Sequence, residues 1–226
     1  FMTDHREDEV MSRSVLAKSE DDGLTFSNLY DLSDRDADGK FINVAMAVVP
    51  PPGVAGLPTS GDTVLIWGSG KYRESDPYLA CVPAAGIEDK SALRYFSGTD
   101  PKGLPKWSPA ESGAAPLFHH PQIGEFSVVW YERAQRWLML YGALEPRGIN
   151  FRYAATPWEW SEGQVIYNPA TDGYGKFVHS LINPRPGGIT LSDPDRENEW
   201  GGEYCPAMLP RYFTAKGKRH TIYFNM

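Results

Sequence analysis

Glu125 follows Gly124 and opens the apolar run EFSVVWY, with the segment HHPQI just ahead of it. A carboxyl in an apolar, ring-lined mouth is poorly solvated when charged, so it tends to keep its proton and can act as a general acid. Hydrolysis of a glycosidic bond needs two carboxyl groups flanking the scissile bond. They stand ~5–5.5 Å apart for retention and ~6.5–9.5 Å apart for inversion. Glu125 is the candidate catalytic group in this chain. The bland alternative is a carboxylate that binds a backbone N–H or an arginine.

Other residues have types suited to holding a hydroxyl-rich ligand. Arg73, in GSGKYR, leaves a strand through two glycines, so its loop can reach the same region and bind a hydroxyl or Glu125; the alternative is a solvated arginine. Asp76, in YRESDPYLA, can hold a hydroxyl or simply form an Asp-Pro turn. His119 and His120 are adjacent, so on an extended segment they point to opposite sides and at most one faces a shared site. His120 is the candidate, because neutral imidazole partners hydroxyls well. Tyr204 can stack on a ring or pack between strands. Asn43 occupies an equivalent slot earlier in the chain, and Arg211 follows Tyr204 on the far side of a strand-like run. Trp67, Trp107, Trp137, Trp158 and Trp160 are expected in the core rather than as sugar platforms, the last two at an outer hairpin.

Composition narrows the field. The chain has 226 residues and a formal net charge of −7, with no basic run of the kind a nucleic-acid partner requires. No apolar stretch approaches the ~20 residues of a membrane-spanning helix. Gly (22) and Pro (19) are plentiful, which favours many short elements joined by turns. Cys81 and Cys205 lie in the runs YLACV and EYCPAM and are expected to be buried free thiols, with a disulfide left open. Neither has a second ligand at zinc spacing, so no metal site is expected, although a structural Ca2+ on carboxylates stays open. No GxSxG, P-loop, HExxH or CxxC pattern occurs. The opening FMTDHREDEV and the closing TIYFNM look like cuts through a longer chain, so the lack of a signal sequence carries little weight.

The elements that must position these residues read as strands. NVAMAVV, DTVLIWG, YLACV and LRYFS form one group, and EFSVVWY, RWLMLYG, INFRYAA and QVIYN a second. YCPAMLP and HTIYFNM begin a third. Each is short, rich in β-branched or aromatic residues, and bounded by turn formers. The groups recur at about eighty positions, and four strands per repeat is the mark of a propeller blade. The octet SEDDGLTF, residues 19–26, has Asp-box spacing: Asp and Gly make the turn, then Thr and Phe restart a strand. It is expected to join SVLAK to FSNLY as the last hairpin of a preceding blade, with no chemical role. The fold class is therefore all-β. The organisation is a single β-propeller domain over 1–226, truncated at both ends, with blade boundaries near 41, 123 and 203.

Several stretches together go beyond a generic propeller: RSVLAKSEDDGLTFSNLYDLS, FINVAMAVV, VLIWGSGKYRESDPYLA, IEDKSALRYFSG, PKWSPAE, HPQIGEFSVVWY, RWLMLYGALEPRGINFRYAATPWEWS, YGKFVHS and EYCPAMLPRYF. From Arg13 onward the chain resembles the domain of unknown function 4185, placed in glycoside hydrolase family 183. The resemblance implies a five-bladed propeller and an endo-acting D-arabinofuranosidase, which cleaves the D-arabinan of mycobacterial arabinogalactan and lipoarabinomannan. It implies a polysaccharide substrate, no organic cofactor, a monomer, and a secreted or periplasmic location. It also implies that this chain is the C-terminal portion of the domain, with the partner catalytic aspartate upstream, so that the portion alone is inactive. Two alternatives stand beside it. One is a carbohydrate-binding or scaffold propeller without catalysis. The other is a sialidase-like enzyme, which would demand an arginine triad and a nucleophilic tyrosine.

Overall fold

The computed structural model describes residues 2–5, 11–51, 53–168, 171 and 203–226. These residues form antiparallel sheets joined by turns, short 3₁₀ segments and irregular loops, with no α-helix among them. None of the described helical segments is long and apolar enough to cross a membrane.

Four layers follow one another along the chain. The first is a three-stranded sheet of β1 (Met2–His5), β2 (Met11–Lys18) and β3 (Ser27–Asp34). The second runs in chain order through β4 (Asn43–Val49), β5 (Thr63–Ser69), β6 (Pro77–Pro83), β7 (Arg94–Thr99) and β8 (Pro105–Ser108). The third is β9 (Ile123–Tyr131), β10 (Arg136–Leu144), β11 (Arg147–Ala154) and β12 (Gln164–Tyr167). The last pairs β13 (Ala207–Met208) with β16 (Phe224–Asn225), and between them lies the hairpin of β14 (Thr214–Lys216) and β15 (Arg219–Thr221). β1 and β8 extend their sheets beyond the strands read from sequence.

The way the sheets meet follows from side-chain alternation. Successive residues of a strand point to opposite faces. In β5, Val64 and Ile66 join Leu32, Phe41, Ala80 and Val82 in a core toward the first sheet. Leu65 and Trp67 instead join Val128, Trp137, Met139 and Tyr141 in a core toward the third. β10 repeats the arrangement: Trp137 and Met139 face the second sheet, while Leu138 and Leu140 meet Met208, Phe213 and Phe224 of the last. Every residue of β5 is therefore buried, which is why TVLIWGS reads as a continuous apolar run rather than an alternating one. The first strands are neighbours as well, with β4 and β13 both lying along β9.

Aromatic rings seal the second and third sheets together. Trp67 and Trp137 stand 5.1 Å apart, and Trp158 packs against Phe96 and Trp107. Trp158 thus belongs to the core between sheets and not to an outer hairpin alone. The octet forms the expected hairpin. Ser19 Oγ donates to Asp21, which accepts from the Thr25 N–H at 2.9 Å and the Thr25 hydroxyl at 2.7 Å. Asp22 and Gly23 take the left-handed backbone that the turn needs.

Candidate functional site

Alignment of the first strands gathers the candidate residues. Asn43 and Ser69 are register partners at the head of the second sheet, and β5 leads directly into the loop carrying Tyr72 and Arg73. That loop closes on the head of β9, where the Arg73 N–H donates to the Ile123 carbonyl at 3.0 Å. Farther along, Asp76 accepts from the His120 N–H at 2.6 Å, and the Leu117 N–H donates to the Pro77 carbonyl. The two connecting segments are thereby laced together beside Glu125. Gly124 is closely packed by that loop: a Cβ there would meet Tyr72 Cε2 at 3.3 Å and Arg73 Nε at 3.4 Å.

Glu125 is half-buried at the centre of this arrangement. The Tyr72 hydroxyl donates to its Oε2 at 3.0 Å, and Cys205 lies close enough to feel the charge of the same carboxyl. Burial first, and the Glu125 charge second, push the Tyr72 hydroxyl well above the usual phenol range. The same two causes raise the Cys205 thiol. Arg73 lies between two rings, its guanidinium 5.1 Å from the centre of Tyr72 and 5.4 Å from that of Tyr204. Tyr204 leaves about half its surface in solvent. Arg73 and Cys205 both adopt left-handed backbone, with φ of 56° and 47°. That conformation costs roughly 1–2 kcal/mol for a residue with a Cβ, and such outliers gather at functional sites.

Unpartnered polar atoms collect in the same region. Among the described residues, Asn43 Nδ2, Ser69 Oγ, Arg73 Nε and Gln122 Oε1 are buried without a hydrogen-bond partner. An unmet buried donor or acceptor costs about 1–3 kcal/mol, and four of them lie at or beside the heads of adjoining strands.

The sequence model of one family, described as Domain of unknown function (DUF4185), matches residues 7–226. The chain belongs to the DUF4185 family. Among curated proteins none matches it.

In this DUF4185 chain the remaining candidates divide. Asp76 and His120 border the cluster but are committed internally. Asp76 also pairs with the exposed His119 at 3.1 Å. His120 is buried, with Nδ1 3.0 Å from the Tyr141 hydroxyl and Nε2 3.0 Å from the Glu145 carbonyl. Arg152 Nε donates to the same Tyr141 oxygen, so the hydroxyl proton points to Nδ1 and the imidazole is the neutral Nε2–H form. Burial, reinforced by the Arg152 charge, lowers the His120 pKa. Glu203 is buried against Arg147 at 3.2 Å. Arg211 lies beyond the far end of β13, stacked on Tyr212, and touches none of the Glu125 cluster among the described residues. No group of three His, Cys, Asp or Glu among the described residues is arranged to hold a metal.

Sequence reasoning missed Tyr72, Cys205, Ser69 and Gln122. Tyr72 precedes Arg73 directly and was open to the same loop argument. Cys205 is exposed and unpaired, not buried in a strand, because Pro206 and its own left-handed backbone delay β13 until Ala207. Cys81 is the buried thiol, pushed up to about 12 by desolvation.

Proposed function

We propose that this chain is part of a five-bladed β-propeller glycoside hydrolase that is secreted or periplasmic and cleaves within a furanosidic polysaccharide, D-arabinan first among the candidates. Sheet-on-sheet packing in chain order, with first strands side by side, supports the propeller. The observation that carries the function is the Glu125 carboxyl at the strand heads. It accepts from the Tyr72 hydroxyl, and Arg73 stands beside it between the Tyr72 and Tyr204 rings.

Each group has a role in this reading. Tyr204 offers an exposed ring for one face of a sugar. Arg73, held between Tyr72 and Tyr204, and Asn43 supply donors for hydroxyl or ring oxygens. Glu125 serves as one carboxyl of the catalytic pair, the Tyr72 donor fixing its orientation. The two other carboxylates that border the cluster, Asp76 and Glu203, are committed to internal pairs, so the second catalytic carboxylate comes from outside the described residues.

The test uses the full natural protein that contains this chain, incubated with purified D-arabinan and compared with its Glu125→Gln variant. Oligosaccharides are expected from the unmodified protein, with release at least ~100-fold slower in the variant. Binding without release in both would favour a non-catalytic carbohydrate-binding propeller. Neither binding nor release would sink the proposal.

A further inference from the structure

The β14–β15 hairpin stands at the other end of β9. From Tyr204 to Met226 the sequence has no Asp or Glu but carries Arg211, Lys216, Lys218 and Arg219, in a protein whose formal net charge is −7. All four cations are exposed, and none has an ion pair among the described residues. Lys216 and Arg219 are register partners. Like charges directly opposite on a two-stranded ribbon disfavour it slightly, and the pairing concentrates positive charge on this face.

The hairpin is nevertheless held firmly. The Tyr131 ring, at the last residue of β9, meets Phe213 and His220 edge-on at 5.3 and 5.4 Å. Its oxygen lies 3.2 Å from His220 Nδ1 and donates to the Thr214 carbonyl. Beside the hairpin, Tyr212 and Tyr223 pack edge-to-face at 6.5 Å, and each leaves nearly half its surface in solvent. Arg211 lies over the Tyr212 ring at 4.6 Å.

We infer that this cationic, aromatic surface docks an acidic polysaccharide, apart from and independent of the chemistry at Glu125. Tyrosine rings accept sugar faces, while the exposed lysines and arginines accept carboxylate or phosphate groups on the chain. A bilayer is the poorer fit, because the hairpin tip, Lys216-Gly217-Lys218, has no apolar residue to insert. A single-stranded nucleic acid offers the same charge with bases to stack, and the oligonucleotide arm of the test separates it from a polysaccharide. From Glu125 to Tyr131, β9 spans roughly 20 Å at about 3.3 Å per residue, so a polymer held here is not in the candidate catalytic site.

The test is affinity electrophoresis of the full natural protein at low salt. The gels contain polygalacturonate, a phosphorylated mannan, or neutral dextran. Retardation is expected in at least one acidic polymer and not in dextran, and added salt should weaken it. A Lys216→Glu/Arg219→Glu variant should lose at least ~10-fold in affinity, equivalent to about 1.4 kcal/mol. Tyr212→Ala should weaken binding several-fold, and Glu125→Gln should leave it unchanged. If the charge-reversed protein misfolds by circular dichroism, Lys216→Gln/Arg219→Gln replaces it. No retardation by either acidic polymer overturns the inference, and so does unchanged binding after charge removal. An effect of charge without any effect of Tyr212→Ala, or tighter binding to phosphatidylglycerol vesicles or a single-stranded oligonucleotide, replaces it with a purely electrostatic surface for another partner.

Discussion

At its first residues β9 carries Glu125 in a half-buried pocket of side chains where backbone is strained and polar atoms lack partners. At its last, Tyr131 props up an exposed hairpin whose charges repel one another. Both ends depart from what stability alone would select, but in opposite ways. The Glu125 end accepts desolvation and left-handed residues to hold a carboxyl in one orientation. The Tyr131 end accepts like-charge pairing to keep a cationic face in water. The middle of the strand shows neither feature: Val128 is buried between sheets in a conventional apolar core. The contrast sets a half-buried carboxyl with left-handed neighbours at one end against an exposed cationic surface at the other.

The largest expected effect tests whether the Glu125 end is chemical at all. Glu125→Gln keeps size and hydrogen bonding but removes the acid, so hydrolysis should fall ~10²–10⁴-fold. The unfolding free energy should change by less than about 1 kcal/mol. A large loss of stability would instead make Glu125 a structural carboxylate.

Trp67→Ala asks whether the two ends share one scaffold. Trp67 is fully buried, packs on Trp137 and donates to the Pro157 carbonyl at 3.1 Å. Its removal should cost about 3–5 kcal/mol in urea unfolding. Monitored at Tyr204 and at the hairpin, unfolding should be simultaneous; separate transitions would show that the ends are independent.

Arg73→Lys keeps the charge but loses the planar group stacked between Tyr72 and Tyr204. Affinity for a substrate fragment should drop by roughly tenfold, whereas binding of acidic polymer at the hairpin should not change. Equal losses at both would show that the ends are coupled.

The smallest expected effect concerns acid. His120 is neutral in the fold and its pKa is lowered, so the unfolded chain takes up its proton first as pH falls. Stability contributed by the neutral ring is present above the unfolded value of about 6.5 and declines as pH drops below it toward the folded value. Thermal unfolding between pH 7 and 5 should show this decline in the parent protein and a shallower one in His120→Gln. Parallel slopes would remove His120 from the account.

Much of the fold was legible because burial imposed patterns on the sequence. β5 and β10 are covered on both faces, so they read as apolar runs. The octet's Ser, Asp, Gly and Thr each make the bond or turn their chemistry suggests. β8 escaped notice, since PKWS is short and opens on proline, and its pairing to β7 is a tertiary event. The β14–β15 hairpin was equally silent, because a strand with no apolar face has no period to detect. Glu125 and Tyr204 were expected together from strand heads and Arg73 from its glycine-rich loop, and the structure brings Arg73 against Tyr204 and its neighbour Tyr72 against Glu125. Tyr72 and Cys205 were not expected there, because their contacts depend on left-handed backbone at Arg73 and Cys205, which no composition rule assigns to those residue types. Arg211 was placed near the site by its closeness in sequence to Tyr204, yet β13 carries it to the opposite end.

The most direct measurement is a crystal structure of the full natural protein with Glu125→Gln, soaked with a D-arabinan oligosaccharide. The expected result has a furanose ring against Tyr204, with its oxygens within hydrogen-bond distance of Arg73, Asn43 and the amide at position 125. A sugar bound only elsewhere, with that cluster unchanged and its polar atoms satisfied by water alone, would contradict the account.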